Sequence, residues 1–116
     1  MSVVIKRIYE PLSSQDGYRI LVDRLWPRGI KKESSGIDLW LKAIAPSNEL
    51  RRWFGHDPAK WVEFQKKYKQ ELNDNDAWKE LQNLSKQHDQ LTLLYAAKEE
   101  KYNHAVLLGQ LLNKQK

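Results

Sequence analysis

Three short apolar runs along the chain predict buried β-strands, because each is too short for a helix and is bounded by turn-forming residues. They cover residues 3–9, 18–23 and 91–97. The first run is rich in β-branched side chains, which favour an extended backbone. In the other two runs, apolar residues follow one another with almost no interruption. That pattern is typical of strands covered on both faces of a parallel sheet.

Apolar side chains also recur at intervals of three and four residues, which predicts four helices. Each predicted helix begins where a side chain can cap it: at Ser47, at Asp57 followed by Pro58, in the turn at 73–76, and at Asn103. Gly55 is expected to end the first helix. The residues expected to face inward are Leu50, Trp53, Phe54, Trp61, Phe64, Tyr68, Leu72, Trp78, Leu81, Leu84, Leu107, Leu108, Leu111 and Leu112.

The predicted order of elements is strand, strand, three helices, strand and helix. Residues 38–45 are compatible with either a short strand or a helical turn ended by Pro46. The chain has no internal repeat, no low-complexity segment and no linker, and its 116 residues are close to the commonest domain size. We therefore expect one compact α/β domain over residues 1–116, with three layers and a small, largely parallel sheet flanked by about four helices.

Composition narrows the class of protein. Apolar residues make up 41% and charged residues 30% of the chain, as in soluble globular proteins. The absence of cysteine excludes disulfides, thiolate metal sites and cysteine nucleophiles. No apolar stretch approaches the roughly 18 residues of a membrane span, and the N-terminus lacks the order of a signal peptide. A cytoplasmic location is the expectation.

The net charge of +5 is unevenly distributed. Residues 1–60 carry eleven Lys and Arg against seven Asp and Glu, whereas residues 61–116 carry nine against eight. A local cationic patch favours anionic partners such as phosphates, carboxylates or nucleic acid. The alternative is a solvated basic loop that only aids solubility.

The exit of the second predicted strand, residues 23–29, holds polar groups that packing does not require. In parallel α/β sheets, ligands bind at the carboxyl ends of the strands. Arg24 and Arg28 offer planar sets of donors suited to phosphate or carboxylate, and Trp26 offers a flat face for stacking. The alternative interpretation is structural: Asp23 forms an ion pair with one of these arginines, and Trp26 is buried in the core.

The exit of the third predicted strand, residues 95–104, is the second candidate region. Asn103 is expected to cap the last helix, which places His104 in its first turn beside unpaired backbone N–H groups, a natural anion site. The helix dipole there disfavours imidazolium, so His104 is expected to act as a neutral donor or acceptor. Tyr95 and Lys98 are further candidate ligand contacts. The alternative is a plain helix cap with a histidine that anchors the loop.

A third polar cluster lies between these exits and consists of Ser47, Arg51, Arg52, Trp53, His56 and Asp57. Ser47 is a candidate ligand contact, whereas His56 is interpreted as a loop histidine near a cap rather than a catalytic base. The chain contains no nucleophile elbow, phosphate-binding loop, dinucleotide fingerprint or zinc-protease motif. Its three histidines are too scattered to suggest a metal site. We therefore predict no metal and no cofactor.

Four motifs in fixed order span nearly the whole chain: LVDRLWPRG at 21–29, APSxxLRxWFxHD at 45–57, WxxFxxxY at 61–68 and LLYAAKxxxxNHA at 93–105. Together they resemble the YeaO-like family of bacterial proteins, a branch of a larger domain-of-unknown-function family. The resemblance implies a compact α/β fold and no established activity. Relatives in the wider family carry Cys-His-Arg where this chain has Asn103, His104 and Ala105, and cysteine in place of Tyr95. The resemblance therefore implies no thiol mechanism and no metal site for this chain. It does imply a shared pocket with altered chemistry.

The leading functional hypothesis is a pocket for a small anionic ligand between the two strand exits. Arg24 and Arg28 hold the anion, Trp26 stacks on the ligand, and Asn103 and His104 bind it or transfer a proton. His104 is the candidate catalytic acid or base, because histidine is the side chain best suited to proton transfer near neutral pH. The alternative is a non-catalytic module for nucleic acid or a regulatory protein. In that case basic residues interleaved with the tryptophans at 26, 40 and 53 follow a strand by charge and stacking.

Overall fold

The computed structural model describes residues 2–114 and contains one four-stranded sheet with four α-helices. The strands are β1 (Ser2–Arg7), β2 (Tyr18–Leu21), β3 (Leu39–Trp40) and β4 (Gln90–Tyr95). The helices are α1 (Asn48–Phe54), α2 (Trp61–Asn73), α3 (Asp76–Gln87) and α4 (His104–Lys114). The strands lie in the order β1-β4-β2-β3, and every pairing is parallel. The predicted α/β fold with a parallel sheet is confirmed.

The two central strands, β2 and β4, are the apolar runs that predicted burial on both faces. Ile20 of β2 lies opposite Leu93 of β4, and both side chains are completely buried. The strands end sooner than the apolar runs do, although the ladder continues briefly: the Val22 N–H donates to the Leu94 carbonyl at 3.1 Å. The polar residues that follow β2 and β4 therefore emerge at the same edge of the sheet.

Residues 38–45 contain both of the alternatives that the sequence left open. The two-residue strand β3 pairs with β2, and a 3₁₀ turn over Lys42–Ile44 follows directly. Such a short strand carries too few alternating positions to be recognised by periodicity. Because β3 also runs parallel to β2, its carboxyl end opens at the same edge of the sheet.

The apolar side chains form two clusters. The larger contains residues from β1, β2 and β4 together with residues from all four helices. The smaller is built on Ile8, Leu21 and Leu94, and partly buried residues of the loop after β2 pack against it. In that loop the Trp26 indole meets Trp40 edge-on, with ring centres 5.4 Å apart. The loop that carries the candidate arginines is thus folded onto the sheet.

The predicted caps are formed by side-chain oxygens. Ser47 accepts from the Leu50 N–H at 3.1 Å, and Asn75 accepts from the Ala77 N–H at 2.8 Å. Asp57 caps a 3₁₀ turn over Pro58–Lys60 that leads into α2. The prediction was wrong for Trp53, which is 37% exposed instead of facing the core. Two lysine ammonium groups lie over the Trp53 ring, each 5.2 Å from its centroid. They belong to Lys67 on α2 and to Lys60 in the preceding turn.

The outer edge of β1 is closed by a side chain of α4. The Asn113 amide donates to the Val3 carbonyl at 2.9 Å, and its oxygen accepts from the Val3 N–H at 3.1 Å. An uncovered edge strand presents unpaired backbone groups to which another chain can pair. Asn113 satisfies two of them within the molecule. Within residues 2–114, no helix has the length and apolar character required to cross a membrane.

Candidate functional site

A cleft of about 630 Å³ opens where β2 and β4 end. Six of the residues predicted from the sequence line it: Arg24, Trp26, Arg28, Tyr95, Asn103 and His104. Because parallel strands bring their carboxyl ends to one edge, two exits that are far apart in the chain form facing walls of one cavity. Its size lies within the few hundred to about 1,000 Å³ typical of small-molecule sites.

The two remaining predicted ligand contacts, Ser47 and Lys98, do not line this cleft. Ser47 lies in a separate depression, where its hydroxyl donates to the Glu71 carboxylate at 2.6 Å while it caps α1. Lys98 is exposed in the loop before α4. The structure thus gives Ser47 a role in joining α1 to α2.

Asp23, which lines the cleft, connects three parts of the chain. One carboxylate oxygen accepts from the Ala96 N–H at 2.9 Å, and the other lies 3.3 Å from Nε2 of His104. The ion pair with Arg24 or Arg28 that the sequence left open is absent among the described residues. Asp23 therefore links the exit of β2 to the exit of β4 and to the start of α4.

The contacts of His104 determine which ring nitrogen carries hydrogen. Nε2 lies 2.9 Å from the Val22 carbonyl oxygen, which can only accept a hydrogen bond. Nε2 is therefore the donor, and in the neutral ring Nδ1 is the acceptor. The imidazole also meets the buried Tyr68 ring edge-on, with centroids 6.3 Å apart. These contacts hold His104 in one orientation at the first position of α4.

Three arginines line the cleft: Arg24, Arg28 and Arg51. Arg24 donates to the Pro46 carbonyl at 3.0 Å, which joins the β2 exit to the start of α1. Arg28 and Arg51 are exposed, and within residues 2–114 their guanidinium groups form no hydrogen bond or ion pair. Their donors are therefore available to a ligand.

Trp26 belongs both to the smaller core cluster and to the cleft wall. Its indole N–H donates to the Ile30 carbonyl at 2.6 Å, and its ring packs against Trp40. From the sequence, Trp26 is expected either to stack on a ligand or to be buried in the core. Its half-buried ring packs against the smaller core cluster and also lines the cleft. Stacking of a ligand on the Trp26 ring stays a prediction.

Tyr95 and Asn103 form the wall on the β4 side. Asn103 is almost fully buried: its amide donates to the Glu99 carbonyl at 2.7 Å, and its oxygen accepts from the Val106 N–H at 3.2 Å, which confirms the predicted cap. Burial raises the pKa of Tyr95 above its ordinary 10.0, and two neighbouring carboxylates, Glu100 and Glu10, act in the same direction. The Tyr95 phenol is therefore protonated at neutral pH.

Sequence reasoning did not assign several lining residues to this site: Tyr9, Leu25, Asn48, Arg51 and His56. His56 has a left-handed backbone, with φ of 56°, and its Nδ1 lies 2.9 Å from the Tyr102 carbonyl. For Asn48, Arg51 and His56 the available signal was topological, because α1 follows the carboxyl end of β3 and so begins at the same edge as the other two exits. Recognising it required β3, which periodicity does not reveal.

The similarities to other proteins agree with the four motifs. A sequence profile described as the inactive DUF488-N3 subclade matches residues 2–116. The chain is 45% identical over 113 residues to the uncharacterized protein YeaO of Escherichia coli, covering 97% of each chain. It is 41% identical over 111 residues to the uncharacterized protein Rv3073c of Mycobacterium tuberculosis, covering 96% of this chain and 93% of the relative. No solved structure matches it.

Proposed function

We propose that this chain, which belongs to the inactive DUF488-N3 subclade and is YeaO-like as its motifs predicted, binds a small anionic ligand. The ligand bears a phosphate or carboxylate group and occupies the cleft at the carboxyl ends of the strands. The observation that carries this proposal is the grouping of three arginines around one cleft. Among the residues that the structure describes, the only carboxylate lining it is that of Asp23, which is already engaged.

The arginines supply the charge and the geometry that such a ligand requires. A guanidinium presents paired donors that match phosphate and carboxylate oxygens, and it keeps its charge at any physiological pH. Arg24 keeps one donor on Pro46, which restrains its position. Arg28 and Arg51 supply the donors that are not already committed within the described residues.

His104 adds a polar group of defined orientation to the same cleft. With Nε2 donating to Val22, Nδ1 of the neutral ring is an acceptor for a ligand hydroxyl or a protonated phosphate oxygen. The predicted transfer of a proton by His104 would therefore proceed through Nδ1. Binding alone requires only the hydrogen bond.

Calorimetric titration with inorganic phosphate at low ionic strength tests the proposal. The chain offers a matched pair of variants, since Arg51 lines the cleft and its neighbour Arg52 on α1 does not. R51Q is expected to weaken phosphate binding about tenfold or more, because a hydrogen bond to a charged group contributes roughly 1.5–3 kcal/mol. R52Q is expected to leave it unchanged.

The nucleic-acid alternative makes a different prediction in the same measurement. Nucleic-acid binding of that kind needs exposed aromatic rings along a basic face. Trp26 and Trp40 are packed against each other, and Trp53 is the only exposed residue of the three candidate tryptophans. Absence of phosphate binding, together with a steeply salt-dependent mobility shift of single-stranded DNA, would overturn the proposal in favour of that alternative.

A further inference from the structure

Leu25 is an apolar side chain on the cleft that folding leaves uncovered. It is 77% exposed, the highest value among the large apolar residues that the structure describes. A single exposed leucine is ordinary on a protein surface. Leu25, however, shares the cleft with other apolar groups, the side chains of Trp26, Pro27, Ala45, Pro46, Ala96 and Ala97. The cleft therefore combines apolar residues with its arginines.

The charges around the cleft select among anions. The three lining arginines exceed the one lining carboxylate by two positive charges, with the two histidines left out of the count. A phosphate monoester carries about −1.5 to −2 at pH 7, which matches that excess. A single carboxylate would balance half of it.

We propose that the ligand is an amphipathic phosphate monoester, in which the phosphate lies against the cleft's arginines and an apolar or aromatic body covers Leu25. This inference rests on the proposed function and adds the chemical class of the ligand to it. The cleft, at about 630 Å³, is far larger than inorganic phosphate requires and has room for a ring. Contact with the apolar body removes Leu25 from water.

Four probes separate the contributions in calorimetric titrations: inorganic phosphate, phenyl phosphate, benzoate and phenol. Phenyl phosphate is expected to bind the native chain about tenfold tighter than inorganic phosphate, because the ring buries apolar area that phosphate lacks. Phenol, which has no charge for the arginines, is expected to show no binding. This comparison uses only the unaltered protein, so it does not depend on whether any variant folds.

Leu25→Ala then tests the position of the apolar body. It is expected to weaken phenyl phosphate binding about fivefold and inorganic phosphate binding much less, since it removes apolar contact area. Val62→Ala is the matched control, because Val62 is 65% exposed on α2 and lies outside the cleft. It is expected to change neither affinity.

The outcomes distinguish this inference from the proposed function. Equal affinity for phenyl phosphate and inorganic phosphate would overturn the inference and leave the anion-binding proposal standing. If benzoate bound as tightly as phenyl phosphate, the assignment of the ligand to the class of phosphate monoesters would be overturned. Failure of every anion to bind would overturn both proposals.

Discussion

Nε2 of His104 lies 3.3 Å from a carboxylate oxygen of Asp23, so the first residue of α4 is joined to the residue that leaves β2. The other Asp23 oxygen accepts from the Ala96 N–H, just beyond the end of β4. The Arg7 guanidinium donates to the Ala96 carbonyl at 3.1 Å from the other side. These contacts hold the two main walls of the cleft in a fixed relation.

Replacing Asp23 is expected to destabilise the fold as well as the cleft. Asp23→Ala leaves the Ala96 N–H without its acceptor, and we expect the free energy of unfolding to fall by about 1–3 kcal/mol. Urea denaturation measures the change. Asp23→Asn is the control, because its amide oxygen can still accept from Ala96, and its effect should be smaller. An alanine variant as stable as the native chain would contradict the role assigned to Asp23.

Ser47 is expected to affect stability and not ligand affinity. Ser47→Ala removes the cap of α1 and the hydrogen bond to Glu71, and we expect a loss of about 1–2 kcal/mol in the free energy of unfolding. Phosphate affinity should be unchanged, since Ser47 lies outside the cleft. Ser47→Thr, which keeps the hydroxyl, should retain most of the stability. Weaker phosphate binding by a fully stable alanine variant would restore Ser47 as a ligand contact.

Asp16 is expected to make the free energy of unfolding depend on pH in the acid range. Burial raises its pKa, but hydrogen bonds from Lys6, the Ser13 backbone and Arg19 outweigh burial, and the pKa lies below its ordinary 3.8. The folded state therefore binds the proton less readily than the unfolded chain does. Asp16 consequently contributes its stabilisation fully above the ordinary pKa and loses it as the pH falls through the lowered value.

Comparison with Asp16→Asn measures this contribution. In urea denaturation over a pH series, the stability difference between the native chain and the variant should be constant from about pH 5 to 7 and shrink below about pH 4. A difference that stays the same down to about pH 2 would contradict the lowered pKa.

Asn113 is expected to protect the edge of the sheet. Asn113→Ala frees the Val3 N–H and carbonyl, which should lower the free energy of unfolding by about 1–2 kcal/mol and promote self-association at high concentration. Denaturation and light scattering measure the two effects. Gln110→Ala, at an exposed position of the same helix, is the control. A variant that is equally stable and equally monodisperse would rule out edge protection by Asn113.

Local features of the fold were predictable because their causes lie within a few residues. Ser47 and Asn103 cap helices through side chains that reach three residues along the chain, and the apolar runs of β2 and β4 report burial directly. The strand β3 was not predictable in this way, since two residues show no period. Trp53 followed the helical spacing but is 37% exposed, because two lysine ammonium groups and not the core cover its ring.

The candidate site was predictable to the extent that parallel strands share an edge. That rule predicts that the exits at Arg24 and His104 lie at one edge of the sheet. It did not separate Ser47, which also follows a strand but turns toward Glu71. It also did not assign Arg51 or His56, because their position depends on β3 and on the direction in which α1 leaves it.

By itself, the sequence determined the α/β class, the two buried central strands, the caps and the family. Each of these depends on neighbouring residues or on motifs that can be read in order. Tertiary structure alone decided that Asp23 contacts His104 and not an arginine, and that Leu25 remains exposed beside the guanidinium groups. The physical reason is that hydrogen-bond partners and solvent exposure depend on groups far apart in the chain: Val22 and His104, which share a hydrogen bond, are 82 residues apart.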